Sequence, residues 1–184
     1  MSNAINIIAF QAGWFASILL AANGWPWAAM LAALAVTALH LARARDARAE
    51  LKLILAAGAI GLVWENALAA AGWSGFPGGV LLPGSAPLWM IAQWMMFATT
   101  LNLSLAWMKT RPGIAVVFGL VGGPLSYMAG ERLGAIMLLE RDAALLALAC
   151  GWALLTPLLL ALAKRWNGCL PAVQGNSMCG AQNA

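Results

Sequence analysis

Glu65 is the one acid that stands alone in an apolar run, away from the groups into which the other charges fall. A carboxylate at mid-membrane depth costs on the order of 3 kcal/mol on insertion scales, so such a residue needs either partners or a task. One reading makes Glu65 a proton-handling or ligand-anchoring group. The other makes it a structural carboxyl hydrogen-bonded to Gln93 or Tyr127. Asn66 and Ser126, each beside one of these residues, add an amide and a hydroxyl. With no second acid and no histidine inside the apolar runs, the set is thin for acid–base catalysis.

Whether these groups meet depends on the elements that carry them. Pro87 to Trp107 runs 21 residues without a charge, about the thickness of a bilayer's hydrocarbon core at ~1.5 Å per residue. It is expected to form one membrane-spanning helix to about Met108. Trp89, Gln93, Thr100 and Ser104 follow one helical stripe, with Thr99 and Asn102 on another. Ser and Thr can bond their own helix's carbonyls, whereas the Asn102 amide needs a partner. Gln11, at similar depth in the first span, is the expected one, making an interhelical polar pair.

A chain of 184 residues that is 63% hydrophobic and 9% charged cannot cover a soluble globule, so the fold class is all-α, a polytopic transmembrane bundle. Six spans are predicted, at about Ala4–Ala22, Pro26–Leu41, Leu51–Ala71, Pro87–Met108, 112–130 and Ala143–Ala163. Residues 1–166 form a single transmembrane domain, and the polar tail 167–184 is expected to be disordered. No Lys or Arg precedes the first apolar run, so that span is not expected to be a cleaved signal.

The net charge of +4 reflects topology rather than nucleic-acid binding, because the basic residues sit at span ends. Arg43, Arg45, Arg48, Lys52, Lys109, Arg111, Lys164 and Arg165 would lie on the side of the termini, and only Arg132 and Arg141 opposite. That split predicts cytoplasmic termini. Counting helical rise from the span ends then places Glu65, Gln93 and Tyr127 at one level in the outer half of the membrane.

The segment 72–86 is rich in Gly and Pro yet apolar at Trp73, Phe76 and Leu81, and is expected to lie at the interface or fold over the bundle. Residues 133–139 are too few to cross and read as an interfacial piece or an extension of the fifth helix. Pro124 is expected to kink that helix. The pairs Gly119/Gly123, Gly130/Gly134 and Gly58/Gly61 mark close helix approach. Six tryptophans fall near span ends, while Trp14, Trp64, Trp94 and Trp152 are deeper and suit a pocket for an oily ligand or bulky packing. Cys150, Cys169 and Cys179 read as free thiols, and His40 as an interfacial side chain, so no metal and no cofactor is expected.

Several strings carry a family resemblance: FQAGWF (10–15), AANGWPW (21–27), RAELKL (48–53), PLWM (87–90), FATTLNLSLAW (97–107) and GGPLSYMAGERLGA (122–135). Together they resemble a bacterial inner-membrane family known only as domain-of-unknown-function family 2878. The resemblance implies a small multi-pass protein of the bacterial inner membrane without an established activity. It also implies a link to membrane-lipid modification, since such genes tend to lie near enzymes of the cyclopropane-fatty-acid type. Leu103, where relatives often have His, and Glu65, where Asp is more usual, depart from the family pattern.

Three functions stay open at this level. The first is an accessory protein that binds a membrane lipid or another apolar ligand in a pocket of Glu65, Gln93, Trp94, Tyr127, Asn66 and Ser126. The second is an enzyme acting on acyl chains with Glu65 as acid or base. The third is a small proton-coupled transporter, as a homodimer through the glycine pairs. A lipid-modifying enzyme is the expected protein partner of the first, and nucleic acid is expected of none.

Overall fold

The computed structural model describes residues 2–169. Helices α1 (Asn3–Ala22) and α2 (Pro26–Arg43) form an antiparallel hairpin whose turn the sequence sets residue by residue. Asn23 donates its side-chain N–H to the Leu19 carbonyl at 2.8 Å, Gly24 takes φ 81°, and Pro26 opens α2 where no amide hydrogen is needed. Asp46 caps α3 (Ala47–Ala70), accepting from the Arg48 and Ala49 amides at 3.0 and 3.1 Å. Helices α4 (Leu88–Leu101), α5 (Pro112–Arg132) and α6 (Arg141–Arg165) complete an all-α bundle of six.

Five of these helices are long and apolar enough to cross a membrane. The bundle is inverted relative to a water-soluble one: Ile8, Val63, Leu146 and Leu154 face outward, while Asn6, His40, Glu50, Glu65, Thr99 and Asn102 are buried. In a bilayer this is the sensible arrangement, because lipid covers the apolar rim and only the interior offers polar partners.

The fourth span departs from expectation. Its helix ends at Leu101, and its 14 residues reach only ~21 Å, short of a hydrocarbon core. A turn at 102–105 and a 3₁₀ helix at Ala106–Thr110 follow. The break is satisfied from within the protein. The Thr99 carbonyl accepts from the Asn6 side chain at 3.1 Å, and the Thr100 carbonyl accepts from the Leu103 and Leu105 amides at 3.1 and 2.9 Å. Thr99 and Thr100 hydroxyls return to the carbonyls of Met96 and Phe97, each at 2.7 Å. Buried irregular backbone persists only where protein supplies these partners.

At the opposite end of the bundle, 72–86 folds over the helices as a lid. Strand β1 (Ser74–Gly75) pairs antiparallel with β2 (Met137–Leu138), Ser74 opposite Leu138. The second strand rules out the reading of 133–139 as an extension of the fifth helix. Gly134 at φ 86° ends α5 and turns the chain into the ladder, so Gly130 and Gly134 do not form a helical pair. Phe76 meets Trp89 edge to face at 6.0 Å, and the Ala86 amide donates to the Asn66 side chain at 3.1 Å.

Glycines set the helix contacts inside this one chain. A Cβ on Gly119 would stand 2.0 Å from the Trp152 carbonyl oxygen, and one on Gly61 2.3 Å from the Trp94 ring, so α5 lies directly on α6 and α3 on α4. Helix α5 runs unbroken through Pro124. Of the tail 167–184, residues 170–184 lie outside the described residues. Gly168 is buried, with its carbonyl accepting the Arg45 and Asp46 amides at 3.0 Å.

Candidate functional site: a membrane-level cavity and a buried polar cluster

Helix α1 packs on α2 and α4, whereas α5 packs on α6, and between α1 and α5 lies a cavity of about 230 Å³. Its walls are rich in aromatic rings: Phe10 and Trp14 from α1, Trp94 and Phe97 from α4, Phe118 from α5 and Trp152 from α6. Trp94 stacks on Trp152 with centroids 4.5 Å apart, and Phe97 meets Trp152 edge to face at 5.5 Å, which fixes the rings as a rigid surface.

Gln93 is the polar feature of this cavity. It is 8% exposed, and neither its amide nitrogen nor its oxygen has a hydrogen-bond partner among the described residues. The Thr156 hydroxyl, also in the lining, has no partner among the described residues either. A buried amide left without a partner costs ~1–3 kcal/mol, so Gln93 presents an unmatched donor and an unmatched acceptor at this wall.

Of the residues read from sequence, Gln93, Trp94, Tyr127 and Ser126 line the cavity; Glu65 and Asn66 do not. Glu65 lies behind the wall, fully buried. Its Oε1 accepts from the Trp94 indole at 2.8 Å and from the Tyr127 hydroxyl. The acid thus holds two lining side chains in place without facing the cavity. Asn66 donates to the Leu62 carbonyl at 2.7 Å and fastens the lid through Ala86. Ser126 donates to the Gly122 carbonyl at 2.8 Å, a bond within its own helix.

The expected pairing of Gln11 with Asn102 does not occur. Gln11 lines the cavity, and Asn6, five residues earlier, takes the polar role: its oxygen accepts from the Ser104 hydroxyl at 2.6 Å. Asn102, freed from helical geometry by the end of α4, donates to Glu50 Oε1 at 2.6 Å and to the Trp166 carbonyl at 2.9 Å.

Glu50 is the centre of a second polar cluster, at the end of the bundle where α3 begins and α6 ends. It is fully buried, and His40 is 2% exposed. His40 Nε2 lies 2.8 Å from Glu50 Oε2, and the Gly168 amide donates to Oε1 at 2.7 Å. Lys109 donates to the Asn102 oxygen and to the Ala163 carbonyl at 3.2 Å. Burial lowers the Lys109 pKa, and the Glu50 carboxylate pulls against that shift. Burial, aided by the same carboxylate, pushes the Cys169 thiol up to about 12.

In the sequence Glu50 is hidden among Arg45, Arg48 and Lys52. Helical spacing nevertheless placed it on the face of Leu53, Ile54, Ala57, Gly61 and Glu65, all of which are buried. The two acids are 15 residues apart on α3, hence ~22 Å along its axis, so they mark separate layers.

The family model described as Protein of unknown function (DUF2878) matches residues 3–158. That stretch holds all the cavity's lining residues and Glu50, but not Gly168 or Cys169. No curated protein and no solved structure matches the chain.

Proposed function

The chain belongs to the family of Protein of unknown function (DUF2878), and we propose that it is a lipid-binding accessory protein. It holds one apolar chain between α1 and α5, with a polar group of that ligand against Gln93. The observation that carries this reading is the buried Gln93 amide, unpaired in an aromatic cavity.

Size narrows the ligand. An apolar cavity of about 150 Å³ takes one benzene ring, so 230 Å³ takes a segment of a single chain rather than a whole phospholipid. In a bilayer the rest of the ligand stays among the lipids, and burying methylene groups gives little preference, because the competing phase is equally apolar. Selectivity then rests on the amide and on the flat indole faces. A fatty acyl or isoprenoid chain with a hydroxyl or carbonyl group meets both requirements.

We place the protein in the bacterial inner membrane with cytoplasmic termini, a reading supported by the eight basic residues at that end against two at the other. Its task is then to present a lipid to, or withdraw one from, a lipid-modifying enzyme. Glu65 has less support as a catalytic acid, since it is screened from the cavity by Trp94 and Tyr127 and His40 lies in the other layer. The test is native mass spectrometry of the chain released from its membrane. Wild type should retain one apolar molecule, whereas Gly122→Leu should lose it. A Cβ at Gly122, a cavity-lining residue, meets only Phe118 at 3.9 Å, so the variant fills space without wedging helices apart. Equal retention by both would count against the reading.

A further inference from the structure

The second cluster contains a set of groups that the lipid reading does not use. His40 Nε2, a Glu50 carboxylate oxygen and Cys169 Sγ lie within 4.8 Å of one another. They come from the last turn of α2, the first turn of α3 and the segment after α6. Beside them is a polar cavity of about 240 Å³, lined by His40, Arg43, Arg45 and Cys169.

We propose that His40, Glu50 and Cys169 form a three-ligand site for a divalent d-block cation, zinc foremost, with the fourth position open to this cavity. Imidazole, carboxylate and thiolate together suit zinc, and three protein ligands with an open position are its usual arrangement where an exogenous ligand must bind. Zinc–ligand bonds of ~2.0–2.3 Å put tetrahedral ligand atoms roughly 3.3–3.6 Å apart. The His40–Glu50 contact at 2.8 Å therefore opens slightly, and Cys169 moves in by up to about 1 Å. Cys169 follows the end of α6 and can make that shift without disturbing a helix.

The surroundings fit an outer shell. Asn102 at 2.6 Å and the Gly168 amide at 2.7 Å hold Glu50 Oε1, which leaves Oε2 directed at His40 and the metal. On binding, the Cys169 thiol releases its proton to solvent and the sulfur ligates as thiolate. His40 ligates through Nε2 as the neutral ring with its hydrogen on Nδ1, and no group changes oxidation state. Zinc with one carboxylate and one thiolate is neutral. Lys109, Arg43 and Arg45 then leave the site net positive, so its open position should take an anion such as hydroxide, chloride or a carboxylate.

The experiment uses the full chain in detergent, loaded with cobalt(II) as a spectroscopic substitute for zinc. One metal per chain and a thiolate-to-cobalt charge-transfer band are expected. Cys169→Ser should remove the band and weaken zinc binding at least tenfold against a chelating dye, while Cys150→Ser and Cys179→Ser keep both. Metal-free Cys169→Ser should unfold at the wild-type temperature, so its loss of metal cannot be put down to misfolding. No band in wild type, or a band that survives Cys169→Ser, overturns the proposal.

Discussion

Replacing Gln93 by Met keeps nearly the same shape and removes both amide atoms. In the ligand-free protein those atoms are buried without partners, so their removal should leave stability unchanged or raise it, in contrast to the loss of ~1–3 kcal/mol that follows breaking a made hydrogen bond in a protein interior. In the complex, the substitution deletes one or two bonds to the ligand's polar group. Hydrogen bonds between groups inside a membrane are worth ~0.6 kcal/mol on average and up to ~2 kcal/mol. Affinity should therefore fall roughly 3- to 30-fold. The assay is quenching of the cavity tryptophans, Trp94 and Trp152 foremost, by a brominated long-chain alcohol, with a brominated alkane of equal length as control. Binding of the alcohol should weaken in Gln93→Met and binding of the alkane should not. If both weaken equally, or if the variant loses 2 kcal/mol or more of stability, the amide is paired in the free protein and the reasoning fails.

Other outcomes follow from single contacts. Gly119→Ala places a methyl 2.0 Å from the Trp152 backbone oxygen, so α5 and α6 must separate and thermal unfolding in detergent should show a loss of ~1–3 kcal/mol or more. Glu65→Gln keeps an acceptor for Trp94 and Tyr127 and should stay within ~1 kcal/mol of wild type, whereas Glu65→Leu orphans both donors and should cost ~2–5 kcal/mol in the same assay. Asn6→Leu removes the acceptor of Ser104 and a donor to the Thr99 carbonyl. The turn after α4 should then open, read as faster hydrogen exchange at the Leu103 and Leu105 amides.

Much of the fold is legible in the sequence because charge and turn residues mark where an apolar helix must stop. Asn23-Gly24-Trp25-Pro26 sets the first hairpin, and Arg111-Pro112 and Lys164-Arg165 set ends of α5 and α6 to within two residues. The fourth span misleads for a physical reason. Hydropathy over Pro87–Trp107 registers no cost for Asn102 and Ser104, yet their partners Glu50, Trp166 and Asn6 come from three distant parts of the chain. Local pattern cannot anticipate a helix end that tertiary hydrogen bonds compensate.

The candidate site is legible to a similar degree. Helical rise puts Glu65, Gln93 and Tyr127 at one level, and the last two line the cavity. Depth alone does not give azimuth, which is why Glu65 turns out to stand behind the wall and Gln11 to face the cavity. The His40–Glu50 pair had a signal, the buried face of α3, but the surrounding cations gave Glu50 the look of a solvated residue.

The most direct measurement is nuclear Overhauser contact in a perdeuterated sample of the chain in nanodiscs that contain protonated lipid. Cross-peaks from the Gln93 side-chain amide and the Trp152 indole N–H to acyl-chain protons are predicted, lost on Gly122→Leu. If those two groups contact only protein and exchangeable protons, while outward residues such as Leu154 see lipid, no ligand enters between α1 and α5.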